Sequence, residues 1–126
     1  MRKTPVLLLL AVLLMLVGCT KSNCANEAIA ERSSPDGQWK YVSFDRNCGA
    51  TTGNNLQISV LPASESLPSS AANAFSADDN HGAAQFLAQP EWSSRQRLRI
   101  VYSKKATIFK KELKVGPIEI EYVEQP

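Results

Sequence analysis

The chain has 126 residues, with 14 Lys and Arg against 12 Asp and Glu, one His and three Cys. That length suits one small domain, and a formal net charge of +2 excludes the strong basicity of a nucleic-acid-binding protein. With one histidine and no nucleotide- or metal-binding spacing, the composition points away from an enzyme, and no cofactor or bound metal is expected.

The N-terminus comes first in chain order. Arg2 and Lys3 precede an uncharged apolar run over 6–17. A charged segment followed by roughly a dozen apolar residues has the form of a secretory signal peptide. It is shorter than the roughly 20 residues a helix needs to span a bilayer. No polar face interrupts it, as one would in a helix of a soluble core. The run ends in Leu16-Val17-Gly18-Cys19, which resembles the lipobox of bacterial lipoproteins. The resemblance implies a thiol that receives a diacylglyceryl group, cleavage just before Cys19, and acylation of the new amine. One acyl chain binds a membrane only marginally, whereas several hold it durably. Thr20 stands where an Asp would resemble an inner-membrane retention signal, so the resemblance implies the outer membrane, facing the periplasm. Cleavage leaves 108 residues with twelve basic and twelve acidic side chains, because Arg2 and Lys3 depart. The expected organisation is a signal peptide over 1–18, a lipidated cysteine and tether over 19–26, and a single domain over 27–126. The six residues 19–24 reach only about 20 Å when extended.

Cys24 and Cys48 remain, an even number in an exported chain, which points to a disulfide. Between them, Ser34-Pro35-Asp36-Gly37 suits a type I turn followed by a glycine of positive φ. A three-residue hairpin loop there pairs Ser34 with Gln38. Counting outward, that register sets Cys24 opposite Cys48, Ala28 opposite Phe44 and Ala30 opposite Val42. Directly opposed residues lie within disulfide reach. The same register sets Arg32 beside Lys40 and Glu27 beside Asp45, two like-charged pairs that oppose it.

Three further segments alternate with period two: Leu56, Ile58 and Val60; Leu98, Ile100 and Tyr102; Ile118, Ile120 and Tyr122. They predict strands with one apolar face, hence an all-β fold: a small antiparallel sheet or a sandwich of hairpins packed on one side. A hairpin about Val115-Gly116 pairs Ile118 with Leu113, Tyr122 with Phe109 and Glu121 with Lys110. Residues 62–74, rich in Ser, Ala and Pro, read as a loop, and 78–82 as a turn. No segment after Cys24 shows a sustained helical period.

The turn at Ser34-Pro35-Asp36-Gly37, then Phe44, Arg46 and Cys48-Gly49-Ala50-Thr51-Thr52-Gly53, is similar to a family of small uncharacterised bacterial exported proteins. Ile58 to Leu61, Asp79-Asn80-His81-Gly82, and the segment from Phe109 to Tyr122 extend the similarity over most of the mature chain. The resemblance carries no activity.

Three stretches carry candidate chemistry. The polar stretch 47–55 offers amides and hydroxyls for an anion or a sugar, with Arg46, Asn47, Thr51, Thr52 and Asn54 as candidate binding residues; the alternative is a polar connection pinned by the disulfide. Asp78, Asp79 and His81 include metal-ligand types, yet their spacing matches no calcium loop or zinc motif, so a solvated turn is expected. Arg95, Arg97, Arg99, Lys104, Lys105, Lys110, Lys111 and Lys114 stand against Glu112 alone. On one face they would attract anionic lipid or envelope polymer; the alternative is neutralisation by Glu119, Glu121 and Glu124. The expected function is a lipid-anchored, non-catalytic binding or structural module of the cell envelope, attached to the membrane and meeting an envelope protein or anionic polymer. A periplasmic inhibitor of a wall hydrolase is the second reading, and a hydrolase the remainder.

Overall fold

The structure, a computed structural model, describes residues 24–49, 55–78 and 87–126. Among these residues there are nine strands and no helix: β1 (Ala25–Ser33), β2 (Trp39–Asn47), β3 (Asn55–Pro62), β4 (Phe75–Asp78), β5 (Ala88–Ser94), β6 (Arg97–Ser103), β7 (Thr107–Lys111), β8 (Lys114–Val115) and β9 (Ile118–Gln125). They form two sheets, ordered β1-β2-β3-β4-β7 and β5-β6-β9-β8. The alternating residues that predicted strands also build the layer between the sheets. Leu56, Ile58, Val60 and Phe75 of the first sheet pack with Leu98, Ile100, Ile118 and Ile120 of the second. The all-β expectation holds.

The first hairpin follows its predicted register only in part. Ala25 faces Asn47, Glu27 faces Asp45 and Ala28 faces Phe44. Cys24 and Cys48 form a disulfide, with Cα atoms 3.9 Å apart. Beyond Ala28 the register shifts: Ala30 faces Ser43, Arg32 faces Tyr41 and Ser33 faces Lys40. The extra residue is Ile29, at a β-bulge. The shift takes Arg32 out of its clash with Lys40, whose ammonium instead meets Glu31 Oε1 at 3.1 Å. It also lengthens the connection, since the Ser34 amide donates to Trp39 O rather than pairing with Gln38. The turn keeps its expected chemistry. Asp36 Oδ1 accepts from the Ser34 hydroxyl at 2.7 Å and from the Gln38 amide at 3.1 Å, and Gly37 adopts φ +71°.

The C-terminal hairpin is corrected more strongly. Only Lys114–Glu119 and Val115–Ile118 pair across it. β7 leaves instead for the far edge of the first sheet, where Thr107 faces Asp78 and Lys111 faces Phe75. β9 then lies parallel to β6, from Arg97–Glu119 to Ser103–Gln125. A parallel pair needs a crossover of about a dozen residues or more, and residues 104–117 provide it. The apolar period of β9 fits either partner; burial decides between them. Beside β6, Ile118 and Ile120 are sealed in the core.

The four edge strands among the described residues are bulged or very short. β1 is bulged at Ile29, β7 at Phe109 and β5 at Ser93, and β8 has only two residues. Bulges and short edge strands discourage pairing with another chain. They also turn apolar side chains outward: Ile29 is 43 % exposed and Phe109 67 %.

A third correction concerns the first sheet. One apolar face was expected, but β2 and β3 are buried on both. Val42, Phe44 and Leu61 point away from the other sheet and pack with Ala72 and Leu67 of the loop over 62–74. Polar side chains fasten that loop. Gln57 Oε1 accepts from the Ala72 amide at 2.7 Å, and Asn73 pairs with both backbone groups of Val60 at 2.8 Å. Asn73 thus continues the ladder beyond the short reach of β4.

The topology gives the sandwich two distinct ends. At one lie Cys24, Cys48, Asn55, Asp78, Ala88, Ser103, Thr107 and Gln125. At the other are the turn after Ser34, the link from β5 to β6, and Gly116, whose backbone packs under the Trp39 indole.

Candidate functional site

Arg46 and Asn47 close β2 at the disulfide end. Register places Arg46 across from Asn26 on β1 and from Asn55 on β3. Arg46 Nη1 donates to Asn26 Oδ1 at 2.8 Å and to Ser69 O at 2.9 Å. Asn26 Nδ2 in turn donates to Pro68 O at 2.9 Å and Ser70 O at 2.7 Å. The two side chains form a clamp on three successive carbonyls of the covering loop. Asn47 Oδ1 accepts from the Gly49 amide at 2.9 Å, an Asx turn that redirects the chain after Cys48. Gly49 takes φ +127°. Thr51, Thr52 and Asn54 lie outside the described residues, as do Asp79 and His81, while Asp78 ends β4.

Two of the five proposed binding residues are therefore engaged with the protein's own backbone. Arg46 nonetheless forms no ion pair among the described residues. Its hydrogen-bond partners are neutral oxygens, so the cationic charge at this end is not cancelled by a contacting carboxylate. Asn26, Ser69 and Gln57 were not singled out by sequence; each is a common polar residue whose role appears only once the loop folds back over the sheet.

The eight basic residues do not share one face. Arg97 and Arg99 lie on the outer face of the second sheet, where register sets Arg97 beside Glu119, and Arg99 between Glu91 and Glu121. Arg97 meets Glu119 at 2.9 Å, an exposed pair that holds the guanidinium pKa up and the Glu119 carboxyl below its usual range. Lys114 is also placed beside Glu119. On this sheet the cations alternate with carboxylates in rows. Arg95 sits at the opposite end from the disulfide. There it adds a smaller push to the lowering of the Asp36 pKa, which the Ser34 hydroxyl dominates.

Lys110 and Lys111 are occupied by structure. Lys110 Nζ donates to Ala72 O at 2.7 Å. Lys111 Nζ lies 5.0 Å from the ring centres of both Tyr102 and Tyr122, within cation–π range. These rings and Phe75 form a cluster with centroids 6.0–6.4 Å apart. The Tyr122 hydroxyl donates to Glu112 O at 2.5 Å, tying β9 to the link between β7 and β8; burial, with a smaller push from Glu112, raises its pKa above the ordinary tyrosine value. Lys104 and Lys105 differ from all of these. They are the two central residues of the turn closed by the Ala106 amide on Ser103 O at 3.0 Å, and both are exposed.

Two open polar grooves lie elsewhere. One of about 450 Å³ is lined by Ser93, Ser94, Gln96, Arg97, Pro117 and Glu119. One of about 750 Å³ includes Arg32, Tyr41, Gln89, Glu91, Arg99 and Tyr102. Neither includes Arg46 or Asn47. Among the described residues no group of three or more His, Cys, Asp or Glu is placed to hold a metal ion. No family model, no curated protein and no solved structure matches the chain.

Proposed function

We propose that this protein is an exported, lipid-anchored, non-catalytic module of the cell envelope, attached through Cys19 and offering its loops to an envelope protein or an anionic polymer. The Cys24–Cys48 disulfide carries the reading. It accounts for two of the three cysteines in an oxidised staple suited to an exported domain, and so leaves Cys19 for the lipobox chemistry. The staple also fixes where the tether enters the fold. The blunted edges support loops, rather than strand pairing, as the means of recognition.

The test is incorporation of labelled palmitate by cells expressing the protein. Wild type should take up label and fractionate with membranes. Cys19→Ala should do neither, while its Cys24–Cys48 bridge still forms. Label retained by Cys19→Ala defeats the anchor. For the binding half, a partner captured from solubilised envelopes should be lost when Arg46→Ala and Thr52→Ala are combined; full recovery removes the 46–54 region from the function.

A further inference from the structure

We propose that the disulfide end of the sandwich faces the membrane and that Lys104 and Lys105 rest among its anionic phospholipid headgroups. This rests on the lipid-anchor reading and adds an orientation and a contact to it.

Two independent observations converge. The first is topological. Cys24 marks the end of the sandwich where the chain enters β1, and only four residues separate it from Cys19. Six extended residues span about 20 Å, comparable with the width of a five-stranded sheet at about 4.8 Å between neighbours. The turn from β6 to β7 lies at that same end, because Thr107 faces Asp78, which faces Asn55, beside Arg46 and Asn26.

The second is charge. Of the eight basic residues between Arg95 and Lys114, Lys104 and Lys105 are a contiguous pair with neither an ion pair nor a side-chain hydrogen bond, and with no carboxylate opposite in the ladder. They occupy the tip of their turn. The acidic groups of this end lie further in: Glu124 is level with Tyr102, and Asp78 with Thr107, on strands that the turn overhangs. The lysines thus lie beyond the Glu124 and Asp78 carboxylates at the end from which the tether leaves. A polybasic contact of this kind gains about 1 kcal/mol per lysine at an anionic surface, and with several acyl chains already holding the protein it sets orientation rather than attachment. Both tryptophans lie far away: Trp39 begins β2 and Trp92 is near the end of β5, about 25 Å and about 20 Å along the strands from the Lys104–Lys105 turn.

The experiment uses the full-length lipidated protein in vesicles, its acylation verified first by intact mass. Amine-acylation footprinting should find Lys104 and Lys105 about fivefold slower in vesicles containing phosphatidylglycerol than in phosphatidylcholine alone, with Lys110 and Lys114 unchanged. Brominated lipid should leave the native tryptophan emission intact and quench the added indole of Lys105→Trp. Equal labelling in both vesicles, quenching of the native tryptophans, or an unquenched Lys105→Trp overturns the orientation while the anchor stands. Protection by free phosphate over phosphatidylcholine assigns a general anion site and also overturns the headgroup contact. Absence of acyl mass overturns both readings.

Discussion

β1 and β3 belong to one sheet and are of similar length, yet they are held in opposite ways. β3 is buried on both faces: Leu56, Ile58 and Val60 against the second sheet, Gln57, Ser59 and Leu61 under the covering loop. β1 is exposed along nearly its whole length. What fastens β1 is a ladder to one neighbour, the turn after Ser34, the disulfide, and individual polar contacts. Among these contacts are Asn26 to the loop, Lys40 to Glu31, and the Trp92 indole donating to Arg32 O at 3.0 Å. A central strand is stabilised by area removed from water. An edge strand with little area to bury must rely on covalent and directional links.

Mutations aimed at each mode should separate them. The largest effect is expected at Ile58, fully buried on β3. Ile58→Ala should cost about 2–5 kcal/mol by denaturant titration, and a loss below about 1 kcal/mol would show that β3 is not held by packing. Next is the staple. Cys24→Ser with Cys48→Ser, closing no loop where 24 residues were spanned, should cost about 3 kcal/mol by the chain-entropy estimate. Amide exchange should then rise across β1 while β3 keeps its protection. Uniform loss in both strands would break the comparison.

Asn73 tests the polar part of β3. Asn73→Ala leaves both backbone groups of Val60 without their side-chain partner, at about 1–3 kcal/mol, with faster exchange of the Val60 amide as its local signature. β9 sharpens the contrast by using both modes: Ile118 and Ile120 are packed, and the Tyr122 hydroxyl is tied to Glu112 O. Tyr122→Phe should cost about 1 kcal/mol at neutral pH. Because burial raises the folded tyrosine's pKa, the folded state holds that proton more tightly than the unfolded one. Its contribution is complete below the ordinary value of about 10 and declines as pH rises through the folded value. Tyr122→Phe should flatten that alkaline decline. The smallest effect is a gain: Glu27 faces Asp45, and Glu27→Lys should stabilise the first hairpin by up to about 0.5 kcal/mol.

Legibility divided along the same line. The disulfide and its half of the hairpin could be read because turn chemistry and residue count define a register locally. The bulge at Ile29 could not, because nothing in Ala28-Ile29-Ala30 marks it; the avoided Arg32–Lys40 clash was visible, but its resolution required the fold. The burial of both faces of β2 was latent in Tyr41, Val42 and Phe44, whose apolar side chains lie on opposite faces. Strand pairing at the C-terminus could not be read, since the alternation of Ile118, Ile120 and Tyr122 fits β6 as well as β7. The basic segment read as one patch because it is contiguous in sequence; the crossover from β6 to β7 distributes it over two sheets. At the candidate site, Arg46 was legible as a charge, but its clamp with Asn26 depends on residues 20 and 23 positions away.

The proposed division of labour among three sulfurs, one lipidated and two in the Cys24–Cys48 bridge, joins the fastening of β1 to the proposed envelope setting. Intact mass of the protein purified from its native membrane, with and without reductant, tests it most directly. The expected species lacks residues 1–18, carries added acyl mass, and gains two hydrogens on reduction. A product that keeps Met1, bears no lipid, or shows no change with reductant would contradict it.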